Sequence, residues 1–230
     1  KKGEIMKIAV LVPAYNEENQ IRNTIKGIMD IPYNIDLFVI DDGSTDNTVK
    51  YVQEFKNVNL LTYGANKGKG FALNFGLKKV IGNYDIIGFL DGDIGETSSE
   101  AEKLIKPILY DKIDVTIAQF PSAKKKGGFG FVKRLSFSGI KYFTGKEIYS
   151  GLSGQRFFKK EVLEIIEEIP FGYGVEVGMT IDILKKGFTI KEVPVVMTHN
   201  ETGRNISGFI HRFKQFYHII LILIKKALKN

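Results

Sequence analysis

The 230-residue chain contains no cysteine. Disulfide frameworks, thiolate zinc sites and cysteine nucleophiles are thereby excluded, and a reducing, cytoplasmic setting is compatible with the composition. No apolar stretch reaches the roughly 18 residues that a membrane span requires. The run Ile8–Val12 is shorter than the ~7–15-residue core of a secretory leader and no small-residue cleavage site follows it, so Met6 reads as a start residue. Internal repeats, low-complexity tracts and linkers are also missing, and the chain reads as a single domain, 1–230. Neither the P-loop spacing nor G-x-G-x-x-G occurs, which weakens P-loop nucleotidase and dinucleotide-dehydrogenase readings. What is present is a positive surplus, 33 Lys+Arg against 26 Asp+Glu for a net +7. It points to an anionic partner: nucleotide, phosphorylated substrate, nucleic acid or lipid headgroup.

The first half alternates two patterns. Ile8–Val12, Leu37–Ile40, Leu60–Tyr63, Ile86–Leu90 and Val115–Ala118 are apolar runs bounded by turn residues, as expected for strands covered on both faces. Between them, Glu17–Met29, Asp46–Phe55, Gly70–Ile81 and Ser98–Leu109 have apolar residues at helical spacing. Ser44-Thr45-Asp46 and Thr97-Ser98-Ser99-Glu100 read as helix caps. The alternation predicts an α/β fold with a mostly parallel sheet. The second half is less regular: a loop at Lys124–Gly130, helices at Phe131–Phe143 and Val175–Lys186, strand character at Gln155–Phe158, an edge strand or break around Pro194, and a long basic helix, Gly208–Lys229.

Ligands of open parallel sheets bind beyond the carboxyl ends of the strands. Four predicted strand ends carry polar clusters: Pro13-Ala14-Tyr15-Asn16-Glu17, Asp41-Asp42-Gly43-Ser44, Gly64–Gly70 with Lys67 and Lys69, and Asp91-Gly92-Asp93. An isolated Asp-Gly-Asp is more often a solvated turn. Behind a buried strand and beside three other polar loops, two carboxylates one residue apart instead indicate a hard divalent cation such as Mg²⁺ or Mn²⁺. The amides of Gly64–Gly70 and the helix start behind them suit a phosphate or a base, with Lys69 as counter-charge. A carboxylate at Asp41 or Asp42 suits a uracil imide or a ribose hydroxyl.

The segments P-A-Y-N-E-E, D-D-G-S-T-D, G-K-G and D-G-D, in this order, resemble the nucleotide-sugar domain of family 2 glycosyltransferases with the GT-A fold. Ser153-Gly154-Gln155-Arg156, Phe171–Glu176 and His199 resemble the acceptor half of glucosyl-3-phosphoglycerate synthases; dolichyl- and polyprenyl-phosphate sugar synthases are similar more loosely, including Glu192-Val193-Pro194-Val195. The resemblance implies a nucleotide-sugar half at about 6–120 and an acceptor half at about 121–230. It implies that Pro13, Ala14, Tyr15 and Glu17 surround uracil and ribose beside Asp41 and Ser44, and that Lys69 lies near base or phosphates. Asp91 and Gly92 would reach ribose or sugar, Asp93 would hold the metal with His199 as a further ligand, and Glu176 would be the acid/base or sugar-orienting carboxylate. Gly127, Gly128, Arg156, Arg204 and Asn205 are the acceptor candidates. In the phosphoglycerate-using relatives the matching loop has an arginine and a threonine after its glycines, whereas Gly128 is followed here by Phe129-Gly130-Phe131.

The expected activity is metal-dependent transfer of a hexose, glucose first, from a UDP-sugar to an anionic or phosphorylated acceptor. The alternatives are a polyprenyl-phosphate glycosyltransferase at the inner membrane face, a nucleotidyltransferase with the same metal-and-phosphate rim, and a non-enzymatic basic protein that binds membrane or nucleic acid. Nucleic acid is not expected, because the lysines are dispersed and the acidic rim repels phosphates. In the C-terminal helix Phe209, Phe213, Phe216, Tyr217, Ile220, Leu221 and Ile224 recur at helical spacing among basic residues. Such a stripe packs onto the domain, lies in an anionic membrane surface, or forms a homodimer interface.

Overall fold

The apolar runs form one seven-stranded sheet. Its strands are β1 (Ile8–Ala14), β2 (Ile35–Asp41), β3 (Val58–Thr62), β4 (Ile86–Phe89), β5 (Val115–Gln119), β6 (Arg156–Lys159) and β7 (Ile190–Pro194). The computed structural model describes residues 6–121, 130–166, 169, 174–198 and 206–228. The order across the sheet is β3-β2-β1-β4-β6-β5-β7. All pairs are parallel except those of β6, which runs antiparallel to both β4 and β5. Because β6 is inserted between two first-half strands, both halves of the chain share one sheet. Burial on both faces explains the unbroken apolarity: Ala9–Val12 of β1 are all fully buried.

The helices are α1 (Ile21–Met29), α2 (Thr48–Val52), α3 (Lys69–Val80), α4 (Glu102–Tyr110), α5 (Phe131–Thr144), α6 (Lys160–Ile165), α7 (Val175–Lys185) and α8 (Ile206–Leu228). Ile21, Ile25 and Ile28 of α1 and Leu104, Ile105 and Ile108 of α4 cluster with one set of sheet residues. Residues of α3, α6 and α7, with Ile140 of α5 and Ile219 of α8, cluster with the other.

Several boundaries differ from expectation for identifiable reasons. α1 begins at Ile21 rather than Glu17, because Asn16 is left-handed (φ 56°) and Glu17 O accepts the amides of both Gln20 and Ile21 in a tight turn. Of the first cap, Asp46 performs the role, its Oδ1 accepting Thr48 N at 2.9 Å, whereas Ser44 Oγ accepts Asn16 N. Thr97–Glu100 caps nothing. It lies in a 3₁₀ turn, Gly95–Ala101, where buried Ser98 donates to Thr24 O and Glu100 pairs with Lys103. α6 has too few residues for its period to stand out in the sequence.

Candidate active site

The first two strand ends are hydrogen-bonded to each other. Asn16 N donates to Ser44 Oγ at 3.0 Å, Thr45 N to Asn16 Oδ1 at 2.8 Å, Glu17 N to Thr48 Oγ1 at 2.8 Å, and Glu18 N to Asp46 Oδ2 at 3.1 Å. The left-handed turn at Asn16 makes these bonds reachable. Asp41 closes its own turn by accepting Gly43 N and Ser44 N. Asp42, 3% exposed, reaches the third strand end. Its Oδ1 accepts Tyr63 Oη–H at 2.6 Å and Lys67 N at 2.7 Å, and its Oδ2 accepts Gly68 N at 2.8 Å. Burial, reinforced by that bond, pushes the Tyr63 phenol above its usual range. Gly43 adopts φ +77°, and a Cβ there would come within 2.8 Å of Ala65 and Asn66 backbone. The three loops are thus one connected platform. Tyr15, 45% exposed, stands at its edge.

The fourth loop is held from below by α1. Thr24, fully buried, donates to Gly92 O at 2.8 Å and accepts Gly95 N at 2.9 Å. Gly92 itself is buried against Pro13, Ala14 and Glu17. Asp91 and Asp93 flank it, both half-buried. Lys69 Nζ binds Asp91 Oδ1, and Gln155 Nε2 donates to Asp91 Oδ2 at 2.8 Å, so both oxygens of Asp91 are engaged. Gly154 makes room for this network, since a Cβ there would lie 2.4 Å from Lys69 Nζ. Burial opposes the Lys69 ammonium, but the charges of Asp91 and Glu176, the Asp91 bond and the charge of Asp93 together hold its pKa above the usual value. Glu176 opens α7 and is half-buried.

Glu17 registers the negative field of this rim. Burial first, and then the charges of Asp93, Asp91 and Asp46, raise its pKa from 4.5 to about 7. A folded-state value above the unfolded one means that the contribution to stability is full below pH 4.5 and is lost as pH rises through about 7. In EDTA, Glu17→Gln should melt a few degrees above the unmodified protein at pH 8, worth about 1–2 kcal/mol after allowance for the partial exposure of the group. Below pH 5 the two melting curves should converge; differential scanning calorimetry across pH 4–8 checks this, and a gap independent of pH would refute it. The hard carboxylate oxygens of Glu17, Asp91 and Asp93 create a negative field of the kind that suits a divalent cation.

Of the residues expected from sequence, Pro13, Ala14, Tyr15, Glu17, Asp41, Ser44, Lys69, Asp91, Gly92, Asp93 and Glu176 lie on adjoining strand ends or on the helix start that faces them. Arg156 is corrected. It is 1% exposed, and its guanidinium donates to Ser153 O, Gly151 O and Thr180 Oγ1, so it braces the Gly151–Ser153 turn against α7 instead of facing an acceptor. Burial lowers its pKa to about 10, partly offset by the charges of Glu176 and Glu192. Gly127, Gly128, His199, Arg204 and Asn205 lie outside the described residues, as does Lys124–Lys126. Thr198, however, donates its amide to Thr97 Oγ1 at 2.9 Å and contacts Ile94 O. The chain therefore arrives at the residue next to Asp93 immediately before His199. Three supporting residues were not anticipated: Thr24, Asp42 as the loop anchor, and Gln155. Thr24 was detectable as a polar residue within the Ile21-Ile25-Ile28 face of α1.

The glycosyl transferase family 2 model matches residues 9–187. The UDP-N-acetylglucosamine–dolichyl-phosphate N-acetylglucosaminyltransferase of Methanococcus voltae is 27% identical, over 96% of this chain and 98% of its own. An uncharacterized protein of Methanocaldococcus jannaschii is 31% identical, over 90% of each chain. Glucosyl-3-phosphoglycerate synthase from Mycobacterium tuberculosis, crystallised with Mn²⁺, UDP and glucosyl-3-phosphoglycerate, superposes with a TM-score of 0.77 at 25% identity, over 96% of this chain and 79% of that one.

Proposed function

The chain belongs to glycosyl transferase family 2 and has the GT-A fold, and from that premise we propose that it transfers a sugar from a UDP-sugar to the phosphate group of a lipid-linked acceptor. The observation that carries this reading is the convergence of Asp91, Asp93, Lys69 and Glu176 at one strand end, beside a platform built from Pro13–Glu17 and Asp41–Ser44. The platform takes the nucleoside, with Tyr15 at its edge and Asp41 retaining acceptor capacity for uracil or ribose. Asp93, with His199, would hold Mg²⁺ or Mn²⁺, which would supply the positive charge that offsets a departing diphosphate. Lys69, kept protonated by its carboxylate neighbours, faces the same leaving group. Asp91, fixed by Lys69 and Gln155, and Glu176 orient the sugar. Gly127, Gly128, Arg204 and Asn205 are assigned to the acceptor side.

The bond from the anomeric carbon to the β-phosphate oxygen breaks with its electron pair leaving on UDP, and an acceptor oxygen takes its place. A phosphate acceptor is favoured because the dolichyl-phosphate enzyme of Methanococcus voltae matches this chain nearly end to end. The relatives carry glucose and N-acetylglucosamine. Calorimetric titration of UDP, UDP-glucose, UDP-N-acetylglucosamine and GDP-mannose, with Mn²⁺ and then with EDTA, tests the donor. Organic extraction of labelled sugar after incubation with a polyprenyl phosphate tests the acceptor. Metal-dependent binding of a UDP-sugar and label in the organic phase are expected. No binding of any UDP compound would overturn the donor assignment, and pyrophosphate as the product in place of UDP would mean nucleotidyl transfer.

A further inference from the structure

α8 is apolar on two opposite sides, and the fold uses only one of them. On the inner side Ile219, fully buried, lies against Gly174, Ile222 against Gly178, and Leu223 against Gly139, while Lys226 pairs with Asp182. On the outer side Phe213, Tyr217, Leu221, Ile224 and Leu228 are exposed, by 45% to 82%. At 3.6 residues per turn these five form one stripe, roughly opposite Ile219. A face that serves the core does not require it.

Two observations identify what covers the stripe. First, the 23-residue helix contains no aspartate or glutamate, and Lys214 and Lys225 are exposed along one border of the stripe. A second copy packed on the same face would set lysines near lysines with no acid on the helix to pair them. Anionic headgroups complement them, with the apolar stripe below headgroup level. Second, the contacts 174–219, 178–222 and 182–226 advance together, so α8 runs parallel to α7. Its residues before Ile219 therefore extend past the α7 N-terminus, the end that carries Glu176. Phe213 lies about 9 Å further along the axis than Ile219, beyond the end of α7 that carries Glu176.

We propose that the outer face of α8 lies in the plane of an anionic membrane surface, with the five apolar side chains at acyl level and Lys214 and Lys225 at phosphate level. Among the described residues no helix is long and apolar enough to cross a membrane, so the contact is in-plane. Docking rests on α8 alone. That it presents a lipid phosphate to the site rests on the function proposed above.

The test is flotation of the full chain with vesicles of phosphatidylcholine, with and without phosphatidylglycerol. The unmodified protein is expected to float with anionic vesicles and much less with neutral ones. Phe213→Ser/Leu221→Ser/Ile224→Ser should abolish flotation, and Lys214→Gln/Lys225→Gln should weaken it about fivefold per lysine. UDP affinity should be unchanged in both variants, which shows that each is folded. Absence of flotation by the unmodified protein would overturn the proposal, as would flotation of the serine variant. So would a dimer in analytical ultracentrifugation that the serine variant makes monomeric while no vesicle binds. UDP-sugar binding without flotation sinks only the docking; flotation without UDP-sugar binding sinks only the functional reading.

Discussion

Asp93→Ala is expected to lower kcat/KM for sugar transfer by about three orders of magnitude without lowering the melting temperature. Departure of UDP concentrates negative charge on the diphosphate, and a bound cation that neutralises it is worth several kcal/mol, or several factors of ten in rate. Asp91 is poorly placed to replace the lost ligand, because Lys69 and Gln155 each hold one of its oxygens. Stability should be unharmed for the opposite reason. Asp93 is one of the charges that raise the pKa of Glu17, so its removal relieves repulsion in the metal-free protein. The assay is UDP release as a function of Mn²⁺ concentration, with UDP affinity measured in parallel. Retention of more than about a tenth of the activity at saturating Mn²⁺ would exclude Asp93 as the principal ligand. Asp93→Asn separates charge from shape: it should behave like alanine, since an amide oxygen is a poorer ligand for a hard cation.

What could be read from the sequence was local. Strands covered on both faces leave apolar runs such as Ile8–Val12 and Ile86–Leu90, and turn residues end them, so the sheet and its polar rim were legible before any coordinates. The parts that were not legible depend on chain segments far apart. β6 enters between β4 and β5 because Phe157 and Phe158 are fully buried there, and no local period encodes that insertion. The same burial explains Arg156, expected from the sequence to meet an acceptor: beside two core phenylalanines it is drawn into the interior, where it braces the Gly151–Ser153 turn. Gln155 acts on Asp91 across 64 residues and Thr24 on Gly92 across 68, so their roles exist only in the folded state. Asp41 and Asp42 are adjacent, yet one closes its own turn and the other anchors the loop after β3; alternation of side chains along the chain separates them, but pattern alone does not say which does which. The apolar spacing of α8 was visible in the sequence. Which side meets the domain is decided by Gly139, Gly174 and Gly178 on its neighbours.

Glu176 offers the second large effect, and its variants report on the acceptor. Glu176→Ala is expected to lower kcat by about 10²–10³, with UDP affinity nearly unchanged, because the side chain opens α7 close enough for its charge to act on Lys69 and, in the function proposed above, addresses the sugar and not the nucleoside. The informative comparison is Glu176→Gln, which keeps an oxygen that can accept a hydrogen bond but cannot take up a proton. An acceptor hydroxyl must lose its proton as it attacks, and a carboxylate at this position is then needed as a base. A phosphate monoester has a second pKa of about 6 and is already anionic at neutral pH, so its attacking oxygen requires no base. With a lipid phosphate as acceptor, Glu176→Gln should therefore retain activity within about tenfold of the unmodified enzyme, far above alanine. Should glutamine be as impaired as alanine, with the acidic limb of the pH–rate profile lost in both, the acceptor group is a hydroxyl and the phosphate assignment is wrong. Comparing kcat for the two variants between pH 5 and 8, under saturating UDP-sugar, distinguishes the two chemistries even before the natural acceptor is identified, provided that one lipid phosphate and one hydroxyl acceptor are tried side by side.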